Sequence, residues 1–118
     1  MNEIVFKART KLALGIIEFV EDLPRRRTAD IVGRQLIRSG TSIGANYRAA
    51  CRGRSTADVI AKLGIVEEEA DESVYWLELL VEAGFVDEKK VADLIKESSE
   101  MVAMTVASIK TLRQRNRH

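Results

Sequence analysis

The chain has 118 residues, 46% hydrophobic, 31% charged and 5% aromatic, with one proline, one cysteine, one histidine and a net charge of +1. That length fits one domain, and this charge content beside ordinary apolar content describes a globular helical protein rather than a disordered one. A lone Cys cannot close an internal disulfide and points to a cytoplasmic protein, while one Cys and one His exclude a multi-ligand zinc site and the His pair of a di-iron bundle.

No apolar run approaches the roughly 18–20 residues of a membrane span, and the first residues lack a signal-peptide pattern. Apolar positions recur at helical spacing from the start. Ala8, Leu12, Ile16, Phe19 and Leu23 form one stripe, widened by Ala13, Ile17 and Val20, which predicts a first helix over about 5–23. Pro24 ends it, having no N–H and disfavouring helical geometry in the residue before it. After Arg25-Arg26-Arg27, Thr28 has the chemistry of an N-cap and Asp30 suits the first turn.

The second helix is expected over about 29–53, with Val32, Leu36, Ile43, Tyr47 and Ala50 on one face. Its middle, Ser39 to Asn46, holds Gly40 and Gly44, and each Gly inside a helix costs about 1 kcal/mol relative to Ala. The apolar phase of Val32 and Leu36 resumes at Ile43 and Tyr47, which favours one continuous helix over a loop, the small residues admitting a neighbouring backbone. A cradle for phosphate is the competing reading, but no Lys follows at P-loop spacing.

Ser55-Thr56-Ala57-Asp58 resembles a capping box, with Asp for Glu, and opens a third helix over about 56–83. Val59, Leu63, Val66, Ala70, Val74, Leu77 and Val81 follow as a heptad-like stripe, with Ile60, Ile65, Tyr75 and Leu80 outside it. Gly84 suits a left-handed C-terminal cap. Asp87 caps a fourth helix over about 88–114, carrying Val91, Leu94, Ser98, Met101, Thr105, Ile109 and Leu112 on one face. The expected fold is all-α, an antiparallel up-down four-helix bundle in a single domain. The stripes are wide for a monomer, so a self-association surface is expected.

Charge is unevenly distributed. Residues 1–54 hold 11 Lys/Arg against 5 Asp/Glu, residues 55–100 hold 4 against 13, and residues 101–118 hold 4 against none. Lys7, Lys11, Arg25, Arg26, Arg27, Arg34, Arg38, Arg48, Arg52 and Arg54 are therefore candidates for a surface that binds the backbone of RNA or DNA without reading sequence. The competing role for several of these Arg is to neutralise the acidic third helix.

Glu69 and Glu72 share a helix face, as do Glu97 and Glu100. Two facing pairs could hold Mg²⁺, an arrangement that resembles the E-x-x-E and E-x-x-D pairs of all-helical nucleoside-triphosphate pyrophosphohydrolases, with Glu100 in the place of Asp. The alternative is a solvated acidic face partly paired to Arg. Cys51 lies among Arg48, Arg52 and Arg54, but the one His, His118, is at the far terminus and makes a poor catalytic partner. The balance of these readings is a non-enzymatic protein without cofactor or metal. A protein-docking adaptor is a further alternative.

Two runs carry a resemblance. Gln35-Leu36-Ile37-Arg38 through Ser42, Ile43 and Asn46 is similar to the Q-x-x-R-x-x-x-S-[IV]-x-x-N signature of the 23S rRNA-intervening-sequence protein family. Glu69-Ala70-Asp71-Glu72-Ser73-Val74-Tyr75-Trp76-Leu77 is similar to that family's E-x-x-E-[ST]-x-Y-W-L pattern, and Phe6-Lys7-Ala8-Arg9 and Leu63-Gly64-Ile65 extend the likeness. The resemblance implies a four-helix bundle assembling as a ring-like homopentamer, with no established catalytic activity. It also implies kinship with the nucleic-acid-binding accessory variability proteins of diversity-generating retroelements. It favours a polar network at Asn46, Glu69 and Glu72 over a metal site. One departure is Ala49, where the family often has Glu, which leaves Arg48 and Arg52 less neutralised. Tyr75 or Trp76 is expected near a subunit boundary, since large aromatics often sit at interfaces.

Overall fold

Propensity and capping divide the chain where the periodicity breaks. A computed structural model describes residues 3–116, apart from the side chains of Glu3 and Phe6. Within these residues lie four helices, α1 (Glu3–Glu21), α2 (Arg27–Cys51), α3 (Thr56–Glu82) and α4 (Glu88–Asn116). Each packs antiparallel on its neighbours: α1 on α2 and α4, α3 on α2 and α4. The result is an up-down four-helix bundle measuring 53 × 21 × 20 Å. His118, Arg117 and the side chain of Phe6 in the opening motif lie outside the described residues.

The connections follow local chemistry. The Ser55 side chain accepts from the Asp58 N–H at 3.0 Å, and Asp58 accepts from the Arg54 N–H at 3.2 Å, so the predicted box closes around the start of α3. Gly84 takes φ +80° and ends the α3 region, a conformation that only glycine adopts without cost. Asp87 Oδ1 accepts from the Lys89 N–H at 3.0 Å at the start of α4. Thr28 departs from expectation. The Asp30 N–H bonds to the Arg26 carbonyl at 2.9 Å, which starts α2 two residues earlier, and Arg26 stands at the N-cap without a side-chain bond.

α2 runs unbroken through Ser39–Asn46. A Cβ at Gly40 would sit 2.5 Å from Ile16 Cδ1, and one at Gly44 would sit 3.1 Å from Arg9 Nη1. The glycines therefore let α1 lie closely along α2, and this packing accounts for poor helix formers at mid-helix.

The core is aliphatic. Leu12, Ile16, Leu36, Ile43, Leu63, Leu77, Leu80 and Met101 are its largest fully buried side chains. The α4 stripe from Val91 to Ile109 faces inward at every expected position. The α3 stripe is shifted from the sequence reading. Leu63, Val66, Ala70, Ser73, Leu77 and Leu80 are buried, whereas Val59, Val74 and Val81 are half-buried. Leu80, expected outside the stripe, is fully buried, and Ser73 takes the core position where Val74 was expected. Leu14 and Ile17 of α1 and Ile31 of α2 remain exposed at 57%, 39% and 54%. Among the described residues no helix is long and apolar enough to cross a membrane.

Candidate functional site

Two features stand out once the helices are placed: a polar clasp across the α2–α3 seam and a concentration of positive charge at one end. The clasp begins with the heptad-spaced residues of α2 facing α3. Arg38 donates through Nη1 to Glu69 Oε2 at 3.1 Å and through Nη2 to Glu72 Oε1 at 2.5 Å. Its planar fork thus bridges two carboxylates one turn apart. Its Nε–H reaches Gln35 Oε1 at 3.4 Å, and the Trp76 Nε1–H donates to Glu72 Oε1 at 3.1 Å.

The electrostatics follow from the contacts. Hydrogen bonding to Arg38 holds the Glu72 carboxyl below the usual carboxylate range, and the indole N–H acts in the same direction, while partial burial opposes both. The two carboxylates in turn raise the Arg38 pKa above its already high ordinary value. Tyr75 meets Trp76 edge to face at 5.0 Å, with Tyr75 56% exposed.

Beneath the clasp, Ser39 and Ser73 hydroxyls lie 2.8 Å apart and fully buried. One hydroxyl donates to the other, and the acceptor then donates to its own helix, at the Leu36 or the Glu69 carbonyl. The sequence reading did not single out this pair; the one signal was the [ST] position of the family pattern, which Ser73 fills. Ser42 and Asn46 bond to each other, with Asn46 Nδ2 donating to the Ser42 carbonyl at 2.9 Å and to its hydroxyl at 3.0 Å. The signature residues therefore form two groups: Gln35, Arg38, Glu69, Glu72 and Trp76 joined across helices, and Ser42 with Asn46 along α2.

The acidic pairs do not face one another. Glu69 and Glu72 turn toward α2, whereas Glu97 turns toward α1 and pairs with Lys11 at 3.4 Å. Among the described residues no group of three or more His, Cys, Asp or Glu is placed to hold a metal ion. The four-carboxylate Mg²⁺ arrangement considered from sequence is thus not assembled, because α3 and α4 present those faces on opposite flanks.

The ten basic candidates do not converge either. Arg25, Arg26 and Arg27 precede or begin α2, while Arg48, Arg52 and Arg54 sit at its far end. At about 1.5 Å per residue the two groups are separated by roughly 35 Å. Lys11 is engaged by Glu97, Arg34 by Asp30 at 2.9 Å, and Arg38 by the clasp. Arg26 lies over the Phe85 ring, 5.0 Å from its centroid.

Antiparallel packing gathers the rest. The start of α1, the end of α2, the start of α3 and the end of α4 share one end of the bundle. Residues 3–9, 46–62 and 108–116 hold nine Lys/Arg and two Asp/Glu. The opposite end, residues 17–34 and 78–93, holds six Lys/Arg and nine Asp/Glu. Arg48, Arg52 and Arg54 are exposed and enter none of the side-chain ion pairs among the described residues. Lys62 and Lys110 join this end, two residues that sequence reasoning passed over because they lie on helices of mixed charge.

Known proteins can now be set beside this geometry. Comparison with curated proteins yields no match. A solved structure from Bacteroides thetaiotaomicron, described as a protein of unknown function from the S23 ribosomal protein family, is similar at 34% identity and a TM-score of 0.84. The alignment covers 90% of this chain and 98% of that one. Residues 1–107 match the family described as 23S rRNA-intervening sequence protein. With its two signature runs meeting in one clasp and its sequence matched over nearly its whole length, the chain belongs to the 23S rRNA-intervening sequence protein family.

Proposed function

We propose that the chain is a non-catalytic, self-associating helical bundle that binds the backbone of RNA or DNA with low sequence specificity through its basic end. The observation that carries this reading is the charge at that end, nine Lys/Arg against two Asp/Glu, with Arg48, Arg52 and Arg54 outside the side-chain ion pairs among the described residues. Such a surface attracts phosphates and releases their counterions, so binding weakens steeply with salt. The S23 ribosomal name of the similar Bacteroides protein is in keeping with an RNA partner.

Anisotropy of a labelled RNA, titrated with the protein at several salt concentrations, tests the reading. Binding is expected to fall with salt, and joint replacement of Arg48, Arg52 and Arg54 by Gln is expected to flatten the slope by about 2. The same replacement at Arg25, Arg26 and Arg27 is expected to change it less. Absence of salt-dependent binding would sink the proposal. Self-association is supported by exposed Leu14 and Ile17 on α1, and the family resemblance makes a pentamer the assembly to look for. Light scattering of Leu14→Glu and Trp76→Ala variants tests which face is used, and an unchanged assembly in both removes these faces.

A further inference from the structure

We infer that the outer face of α1 docks on the same face of a second copy of this chain, antiparallel and about a two-fold axis at Leu14. The inference deepens the self-association reading above and rests on it. α1 packs on α2 and α4, with Leu12 and Ile16 fully buried. Leu14 turns about 200° away from Leu12, and Ile17 follows it on the outer side. The two are 57% and 39% exposed.

The charges around this apolar centre are segregated. Heptad spacing places Lys7, Leu14 and Glu21 in one column of α1, and Lys11 and Glu18 in the column beside it. All four charged residues are exposed. Within a single helix this order is unfavourable. Lys7 and Lys11 are like charges one turn apart, and so are Glu18 and Glu21. The last turn holds those two carboxylates and no cation, against the helix dipole. Glu18 and Glu21 enter none of the side-chain ion pairs among the described residues, and Lys11 stays exposed beside Glu97.

An antiparallel second copy offsets each of these costs. A two-fold axis at Leu14 sets Lys7 opposite Glu21 of the partner subunit, about 10 Å to either side of the centre. The same axis sets Lys11 opposite Glu18 of the partner subunit, closer in. Both pairs and the leucine contact form in one register, without sliding either helix along the other, and the two helix dipoles oppose. Tyr75, also exposed, has no such self-complement. The exposed charged residues of α3 are Glu68, Asp71, Glu78 and Glu82, all acidic and all at helical spacing from Tyr75, so two such faces repel. A ring closes through two different faces, whereas the α1 contact joins like to like and therefore pairs subunits or pairs whole rings. Arg48, Arg52 and Arg54 lie outside it, on α2 and the turn that follows.

Sedimentation of the full chain over a range of concentrations tests the contact, with circular dichroism as the control for folding. Joint Lys7→Glu and Lys11→Glu replacement is expected to weaken pairing by about tenfold or more, and joint Glu18→Lys and Glu21→Lys replacement to do the same. Mixing the two variants, or combining all four replacements in one chain, is expected to restore it. Association unchanged in either variant, or lost in both without restoration, overturns the two-fold contact and leaves self-association standing. Tighter association of the Glu18→Lys, Glu21→Lys variant also overturns it, because that result assigns the acidic face of α3 as the partner of α1. A wild-type chain that is monomeric at every concentration overturns the inference together with the reading beneath it.

Discussion

The two flanks of α2 attach their neighbours by different physics, although the residues responsible interleave in one short stretch. Toward α1 the helix presents Gly33, Gly40 and Gly44, where added Cβ atoms would come within 3.1 Å or less of Leu23, Ile16 and Arg9. At these glycines the contact is one of shape, backbone against side chain. Toward α3 the same helix presents Arg38 and Ser39, whose contacts are directional hydrogen bonds to Glu69, Glu72 and Ser73. A run poor in helix formers therefore holds two kinds of small residue with different purposes. Glycine gives proximity, and serine gives a bond inside a dry seam.

Changing each flank separately sharpens that contrast. The largest effect is expected from Gly40→Val, because even a Cβ would stand 2.5 Å from Ile16 Cδ1 and 3.1 Å from Ile16 Cγ2. Overpacking of this kind costs about 2 kcal/mol, read as a lower denaturant midpoint, and an unchanged midpoint would show that α1 is free to move away.

Arg38→Met breaks the other flank and is expected to lower stability at neutral pH by less. Its signature is pH dependence. The Glu72 carboxyl sits below its ordinary range in the fold, so the stabilisation is complete above the unfolded carboxyl pKa of about 4.3 and fades as pH falls through the folded value. Wild type and variant should therefore converge in acid. Parallel curves down to acid pH would mean that Arg38 contributes packing rather than charge.

Gly64 supplies the control for glycine itself. Nothing lies within 4 Å of a Cβ built there, inside α3. Gly64→Ala is expected to raise stability by about 0.5–1 kcal/mol, the reverse in sign of Gly40→Val. Smallest of all is Lys11→Ala on the α1–α4 seam, whose ion pair with Glu97 involves a Lys 80% exposed. It should change stability by less than about 0.5 kcal/mol, and a larger loss would show that this seam is held more firmly than its geometry indicates.

Much of this architecture was legible in the sequence because it depends on spacing. The α2 stripe Val32, Leu36, Ile43, Tyr47 and Ala50 is buried throughout, and its resumption after Gly44 was enough to argue continuity. The α3 phase was misread where valines compete with the true core, since Val74 and Val81 look like better core residues than Ser73. The partner hydroxyl of Ser39, 34 residues away, and the Glu69 carbonyl make serine acceptable there. Pairing of the acidic α3 face with Arg was legible, but not that Arg38 is the partner of both Glu69 and Glu72, as helical phase gives a residue's face but not what stands opposite. The division of the basic residues between two ends was legible in principle. Helix length alone separates Arg27 from Arg52, and counting charge along the sequence rather than along the bundle concealed it.

Antiparallel order has one more consequence for the basic end. Each helix carries about half a positive charge at its N-terminus and half a negative one at its C-terminus. The starts of α1 and α3 meet the finishes of α2 and α4 there, so the backbone partial charges cancel in pairs. The potential at that end is consequently written by side chains alone. Substitutions in the α2–α3 turn or along the last turns of α4 can retune it, or reverse its sign, without altering the helices that support it.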